Sequence, residues 1–222
     1  MRPWMLTAPE YRPSDEEIKR FAEALAGLNP ALLPPQTPKW VFLRWLSEKG
    51  YLLHGSQQPS ISEFEPRTPH DLSGDEFSSC TGVFAASEGL WAMMYALRGP
   101  QVKRMVNAAL QLRQASGLSD PYYFLSLAPR ETSPESGRDL MAPGVVYVLP
   151  SAGFEPMPEY DWPGLGQVLE PQWICPHAVK PLFAVPVTSN DFPLPVRLHD
   201  ADTVDARCAA DPWGFPWLAD DN

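Results

Sequence analysis

Twenty-seven prolines in 222 residues, against 14 glycines, constrain this chain more than any other feature. Each proline fixes φ and removes a backbone donor, so long uninterrupted helices are excluded over much of the chain. Short strands and stiff loops fit the pattern better. A sizeable core is still expected, because 44% of residues are hydrophobic and 11% aromatic. That content and length suit one domain, or one domain with a small N-terminal appendage.

Between the prolines, two early helices are legible. Ser14 and Glu17 form a capping box with Asp15 and Glu16 at the positive end of the helix dipole. Ile18, Phe21, Ala22, Leu25 and Leu28 follow at helical spacing, and Asn29-Pro30 ends the run. Four prolines from Pro30 to Pro38 make a stiff connector. Thr37 is then expected to cap a second helix with Pro38 in its first turn, stopped by Gly50.

Tyr51-Leu52-Leu53 reads as a strand running into His54-Gly55-Ser56. A polar loop from Gln57 to Cys80 separates it from a second strand, Gly82 to Ala86; loops of that length in compact domains often serve binding. Ser87 is expected to cap a helix through Leu97, closed by Gly99. Gln101 to Ser116 reads as a further helix, with Val102, Met105, Val106, Ala109, Leu110 and Leu112 as its apolar face. Strands are then expected at Tyr122 to Leu127, Val145 to Leu149, Gln172 to Cys175 and Leu182 to Val187. Ala128 to Pro143 and Glu155 to Gly166 read as loops between them. Helices early and strands late predict an α+β fold. The organisation expected is an N-terminal helical segment (residues 1–50), a main domain (51–199) and an acidic, aromatic C-terminal tail (200–222), whose Trp213, Phe215 and Trp217 dock onto the domain.

A formal net charge of −10 disfavours phosphate-backbone partners. Cys80, Cys175 and Cys208 form no CxxC pair, which argues against a disulfide framework or a structural zinc site. The first ten residues lack the apolar run of a signal peptide, and no window approaches the roughly 20 apolar residues of a membrane span. A cytoplasmic setting is the expectation.

The chemistry concentrates in three segments. Leu52-Leu53-His54-Gly55-Ser56 resembles the strand-end H-G-[ST] of poly(ADP-ribose) polymerase-like ADP-ribosyltransferases. Gly82-Val83-Phe84-Ala85-Ala86 is similar to that family's second strand, G-[IV]-Y-F-A. Tyr95, eleven residues past Phe84, stands where the family places an aromatic ring on nicotinamide. Ala92 stands where many members carry a serine. Pro171-Gln172-Trp173-Ile174 resembles the strand that carries the family's glutamate. The family's H-Y-E therefore reads here as His54, Phe84 and Gln172.

The resemblance implies a split β-sheet core and NAD as the substrate, with no metal. Glycine backbone groups pair with a carboxamide at close approach, and aromatic faces cover the ring. On this reading His54, Gly55, Ser56, Phe84 and Tyr95 hold the nicotinamide half, and Arg67 pairs with the pyrophosphate or adenosine. His54, Gln172 and Glu170 are the candidate catalytic residues. Glu170 is included because residues two apart on a strand share a face, so a small register shift would bring its carboxylate into use. A glutamine hydrogen-bonds a ribose hydroxyl but supplies no negative charge. Polymer elongation is thus not expected; mono-ADP-ribosyl transfer to a protein or small-molecule acceptor, NAD hydrolysis, and NAD binding without turnover are all open. Two other chemistries have candidate residues: a cysteine nucleophile (Cys80 or Cys175 with His70, His177 or His199) and a metal at Cys175-Pro176-His177. Both lack supporting motifs.

Overall fold

The computed structural model describes residues 2–69, 76–131 and 133–218. In chain order they form β1 (Leu6–Thr7), α1 (Asp15–Ala26), α2 (Lys39–Glu48), β2 (Leu52–Ser56), β3 (Val83–Ala86), α3 (Gly89–Ala96), β4 (Val102–Gln114) and β5 (Gly117–Leu118). The second half holds β6 (Tyr122–Pro129), β7 (Gly144–Leu149), β8 (Glu155–Pro156), β9 (Tyr160–Trp162), β10 (Gly166–Leu169), β11 (Gln172–Cys175), β12 (Phe183–Val187), β13 (Arg197–Leu198) and α4 (Ala201–Ala210). The chain is α+β.

Two sheets carry the architecture. One runs β12-β7-β2-β3-β11-β8; the other runs β1-β6-β4-β10-β9, with β13 beside β6 and β5 beside β4. All strand pairs are antiparallel except β13 with β6. The main core joins the sheets and the three early helices. Phe21, Phe42, Leu43 and Leu46 share it with Leu53, Met93, Val146, Val148, Tyr123 and Leu125. Residues 1–50 thus contribute to the same core as the strands.

The capping box of α1 forms as expected: the Ser14 hydroxyl accepts from the Glu17 amide, and the Glu17 carboxylate accepts from the Ser14 amide. Two other caps differ. Thr37 makes no cap bond to α2; its hydroxyl donates to Glu17 instead. The cap of α3 is Glu88, not Ser87, with its carboxylate accepting from the Trp91 amide at 3.0 Å.

The largest departure is Gln101 to Ser116, which forms the 13-residue strand β4 rather than a helix. Its two faces are both covered. Val106, Ala108 and Leu110 alternate into a second core with Trp4, Phe124 and Val168, while Ala109 faces the main core beside a partly buried Met105. A register shift between Val102 and Arg104 turns Val102 to the main-core side as well. A strand buried on both faces reads as nearly continuous apolar sequence, and that erases the two-residue alternation.

The segment Glu155 to Gly166, expected as loop, contains β8 and β9, and Ala128 to Pro143 contains the 3-10 turn Gly137–Leu140. The C-terminal stretch begins with a helix, α4, capped by Asp200. Beyond it Phe215 packs against Trp4 at 4.8 Å between ring centroids, and Trp213 against Trp162 at 5.8 Å. The aromatic cluster docks onto its own domain.

Candidate functional site

Three neighbouring strands bring the motif residues together. β2 carries His54, β3 carries Phe84, and β11 begins at Gln172. Gln172 is level with Ala86, and Ala86 in turn with Leu53. That last pair is the whole of the β2–β3 ladder. Beyond it the strands part, and a cleft of about 790 Å³ opens between them.

His54 spans the opening. Its Nδ1 lies 2.6 Å from the Phe84 carbonyl oxygen. A carbonyl only accepts, so Nδ1 carries the proton and the neutral ring keeps Nε2 as its acceptor. Burial holds the imidazole below its ordinary pKa; the Phe84 bond works in the opposite direction, and the nearby Arg67 charge adds to the lowering. The ring also tilts onto Phe64 at 4.4 Å, and Phe64 meets Tyr147 edge-on at 5.2 Å.

Phe64 anchors the cleft's outer wall. Its amide and carbonyl exchange bonds with Val179 at 2.8 and 2.9 Å. The Tyr147 hydroxyl donates to the Gln58 carbonyl and accepts from the Ile61 amide, at 2.7 and 2.9 Å. Arg67 is fixed by paired backbone bonds to Gly82 at 3.0 and 3.1 Å, and its side chain lines the cleft. Among the described residues no carboxylate lies within 4.0 Å of its guanidinium.

The floor is where β2 meets α3. Gly55 sits so close to Ala92 and Ala96 that no side chain fits there. The Gln57 amide reaches past it to donate to the Ala96 carbonyl. On α3, Trp91 is held by an indole bond to the Asn107 carboxamide at 2.5 Å and stands edge-on to Tyr95 at 6.2 Å. Tyr95 is 41% exposed and lines the cleft with Phe84, Ala92 and Ser56.

Seven of the eight residues singled out from sequence line this cleft: His54, Gly55, Ser56, Arg67, Phe84, Tyr95 and Gln172. Glu170 is not among its lining. It precedes β11 rather than belonging to it, and its carboxylate accepts from the Tyr160 hydroxyl at 2.6 Å. The shared-face argument requires both residues in one strand, and here β10 ends at Leu169, β11 begins at Gln172, and the two strands belong to different sheets.

Ser78 and Phe64 were not anticipated. Ser78 is buried and accepts from the Gln172 side-chain amide at 3.1 Å. It comes from a polar loop with no periodicity to mark one residue above another. Phe64 left a fainter trace, as an aromatic residue flanked by Glu63 and Glu65 in that same loop.

Among the described residues the rival chemistries find no assembled site. The Cys80 thiol donates to the Glu76 carbonyl at 3.3 Å, Cys175 is buried, and His199 bonds the Ser126 hydroxyl at 2.8 Å. His70 lies outside the described residues. Among the described residues no group of three His, Cys, Asp or Glu side chains is arranged for a metal, and no helix is long and apolar enough to cross a membrane. The chain matches no family model, no curated protein and no solved structure.

Proposed function

We propose that this cleft binds NAD and that the chain is a divergent ADP-ribosyltransferase of the poly(ADP-ribose) polymerase-like type. It would transfer a single ADP-ribose to an acceptor or to water. The observation that carries the reading is the convergence of His54, Phe84 and Gln172 from three adjacent strands onto one cleft, with Tyr95 on its helical wall. A volume of about 790 Å³ falls within the roughly 300–1,000 Å³ of small-molecule sites.

In the reaction the nicotinamide–ribose bond breaks, and both bonding electrons leave with neutral nicotinamide. The ribose carbon gains oxocarbenium character and is captured by the acceptor or by water, which gives up a proton. Phe84 and Tyr95 offer aromatic faces to the departing ring. Arg67, with no carboxylate partner among the described residues, suits a phosphate of the cofactor. Gln172 offers hydrogen bonds but no charge.

That neutrality favours a second reading, in which NAD is bound and not turned over. Nicotinamide release during incubation with NAD separates the two. Release that is abolished in a His54→Ala variant supports the enzyme. NAD binding without release supports the binding module, and neither binding nor release refutes both.

A further inference from the structure

A second cavity, of about 460 Å³, lies where the C-terminal tail docks, and it shares no lining residue with the cleft. Four aromatic rings line it: Trp4 near the N-terminus, Trp162 at the end of β9, and Trp213 and Phe215 from the tail. Trp162 stands at 69° to Trp213 and at 87° to Phe215, both at 5.8 Å between centroids, and Trp4 stands at 69° to Phe215. Rings set so steeply to one another offer their faces in several directions, as a parallel stack does not. Among the described residues no cationic side chain lies over any of the four.

Two opposite charges complete the lining, Arg2 and Asp211. The Asp211 carboxylate accepts from the Trp213 amide at 3.1 Å, and the Asp211 carbonyl takes the Trp217 indole N–H at 2.8 Å. The Arg2 guanidinium lies against Gly164, between β9 and β10, so closely that a Cβ there would be 2.6 Å from it. The two charges do not neutralise each other. Among the described residues neither has an opposite charge within 4.0 Å. A ligand that carries both signs is their complement.

Aromatic faces attract a cation through the ring quadrupole, and quaternary ammonium groups are the cations most often held this way. Asp211 favours the same cation, whereas Arg2 offers a fork of donors to a carboxylate or phosphate. The volume lies within the range of small-molecule sites.

We propose that this cavity binds a small free zwitterion, a quaternary ammonium joined to a short anionic group, with the ammonium against the rings beside Asp211 and the anion on Arg2. The site is separate from the NAD reading and stands or falls without it.

Ligand-observed NMR on the full chain tests it, with glycine betaine as the probe and its methyl resonance as the readout. The uncharged-headed isostere 3,3-dimethylbutanoate and choline, which lacks the anion, are the controls. Glycine betaine should bind at least about tenfold more tightly than the isostere, because only it carries the cation. Trp213→Ala should weaken glycine betaine and choline alike by about tenfold, and Trp213→Phe, which keeps an aromatic face, by much less. Arg2→Ala should weaken glycine betaine by about fivefold and leave choline no weaker. Equal affinity for the isostere would reduce the cavity to an apolar pocket and overturn the proposal. Equal losses of glycine betaine and choline in Arg2→Ala would overturn the zwitterion assignment. So would an absence of glycine betaine binding, or binding to phosphatidylcholine vesicles alone.

Discussion

Gly55 on β2 and Ala92 on α3 meet backbone to backbone: a Cβ on Gly55 would lie 1.9 Å from the Ala92 carbonyl oxygen and 2.6 Å from the Ala96 amide nitrogen. Neither atom belongs to a side chain that could swing aside. Gly55→Ala therefore forces the strand and helix apart and disturbs both walls of the cleft at once. Overpacking of this kind costs about 1–3 kcal/mol. For a chain of this size that corresponds to a melting temperature lower by roughly 2–4 °C per kcal/mol. Calorimetry on the variant should show the drop together with weakened NAD binding. A variant that melts with the parent protein would contradict this packing.

Gln172→Glu tests how far the missing charge limits turnover. The neighbouring Ser78 hydroxyl accepts from the glutamine amide, and a hydroxyl is a group that also pairs with carboxylates. A carboxylate near the ribose stabilises developing positive charge, and a single well-placed electrostatic contact is worth on the order of 10²-fold in rate. Nicotinamide release should rise by at least about tenfold, a conservative fraction of that effect. An unchanged rate would show that the charge at this position does not limit the reaction.

The imidazole of His54 gives the site a pH signature. Burial lowers its pKa from the ordinary value of 6.5, so the ring is neutral at pH 7 and Nε2 is an acceptor. Protonation fills Nε2 and adds a positive charge near Arg67. NAD binding should hold steady from about pH 8 downward and fail only below the usual histidine range of about 6.5. The stability contribution has the same sense. The folded pKa is the lower one, so the contribution is present above the unfolded pKa and lost as pH falls through the folded value. A binding midpoint at or above 6.5 would remove His54 from this role.

How much of this was legible in the sequence depends on what carried the information. His54, Phe84, Tyr95 and Gln172 stand out because short motifs fix residue types at fixed offsets along strands and a helix, and the fold brings all four to one cleft. The strand β4 was misread because its neighbours cover both faces, and burial on both sides leaves no alternation to read. Glu170 enters on the assumption of a continuous strand, but it lies between β10 and β11 and belongs to neither. Ser78 left no signal. A serine in a polar loop acquires a role only when the fold carries that loop against β11, and nothing local in the sequence encodes that approach.

Glu88 presents the same problem one residue from an expected cap. Ser87 was the obvious candidate, yet the fold buries the neighbouring carboxylate at the start of α3, where it accepts from the Trp91 amide. Burial raises its pKa above the ordinary carboxylate range, while bonds from Trp91 and Tyr123 and the charge of Arg44 oppose the rise. Because the folded pKa exceeds the unfolded one, the linked stability is full below the unfolded pKa and is lost as pH rises through the folded pKa. Glu88→Gln keeps the acceptor for the helix amide and removes the buried charge. Chemical denaturation at pH 5 and pH 8 should therefore show the glutamine variant gaining on the parent protein as pH rises. Glu88→Ala leaves a buried amide without its partner and should lose about 1–3 kcal/mol at either pH. If the alanine variant matched the glutamine one, α3 would owe nothing to this cap, and the helical wall that carries Tyr95 would be held by packing alone.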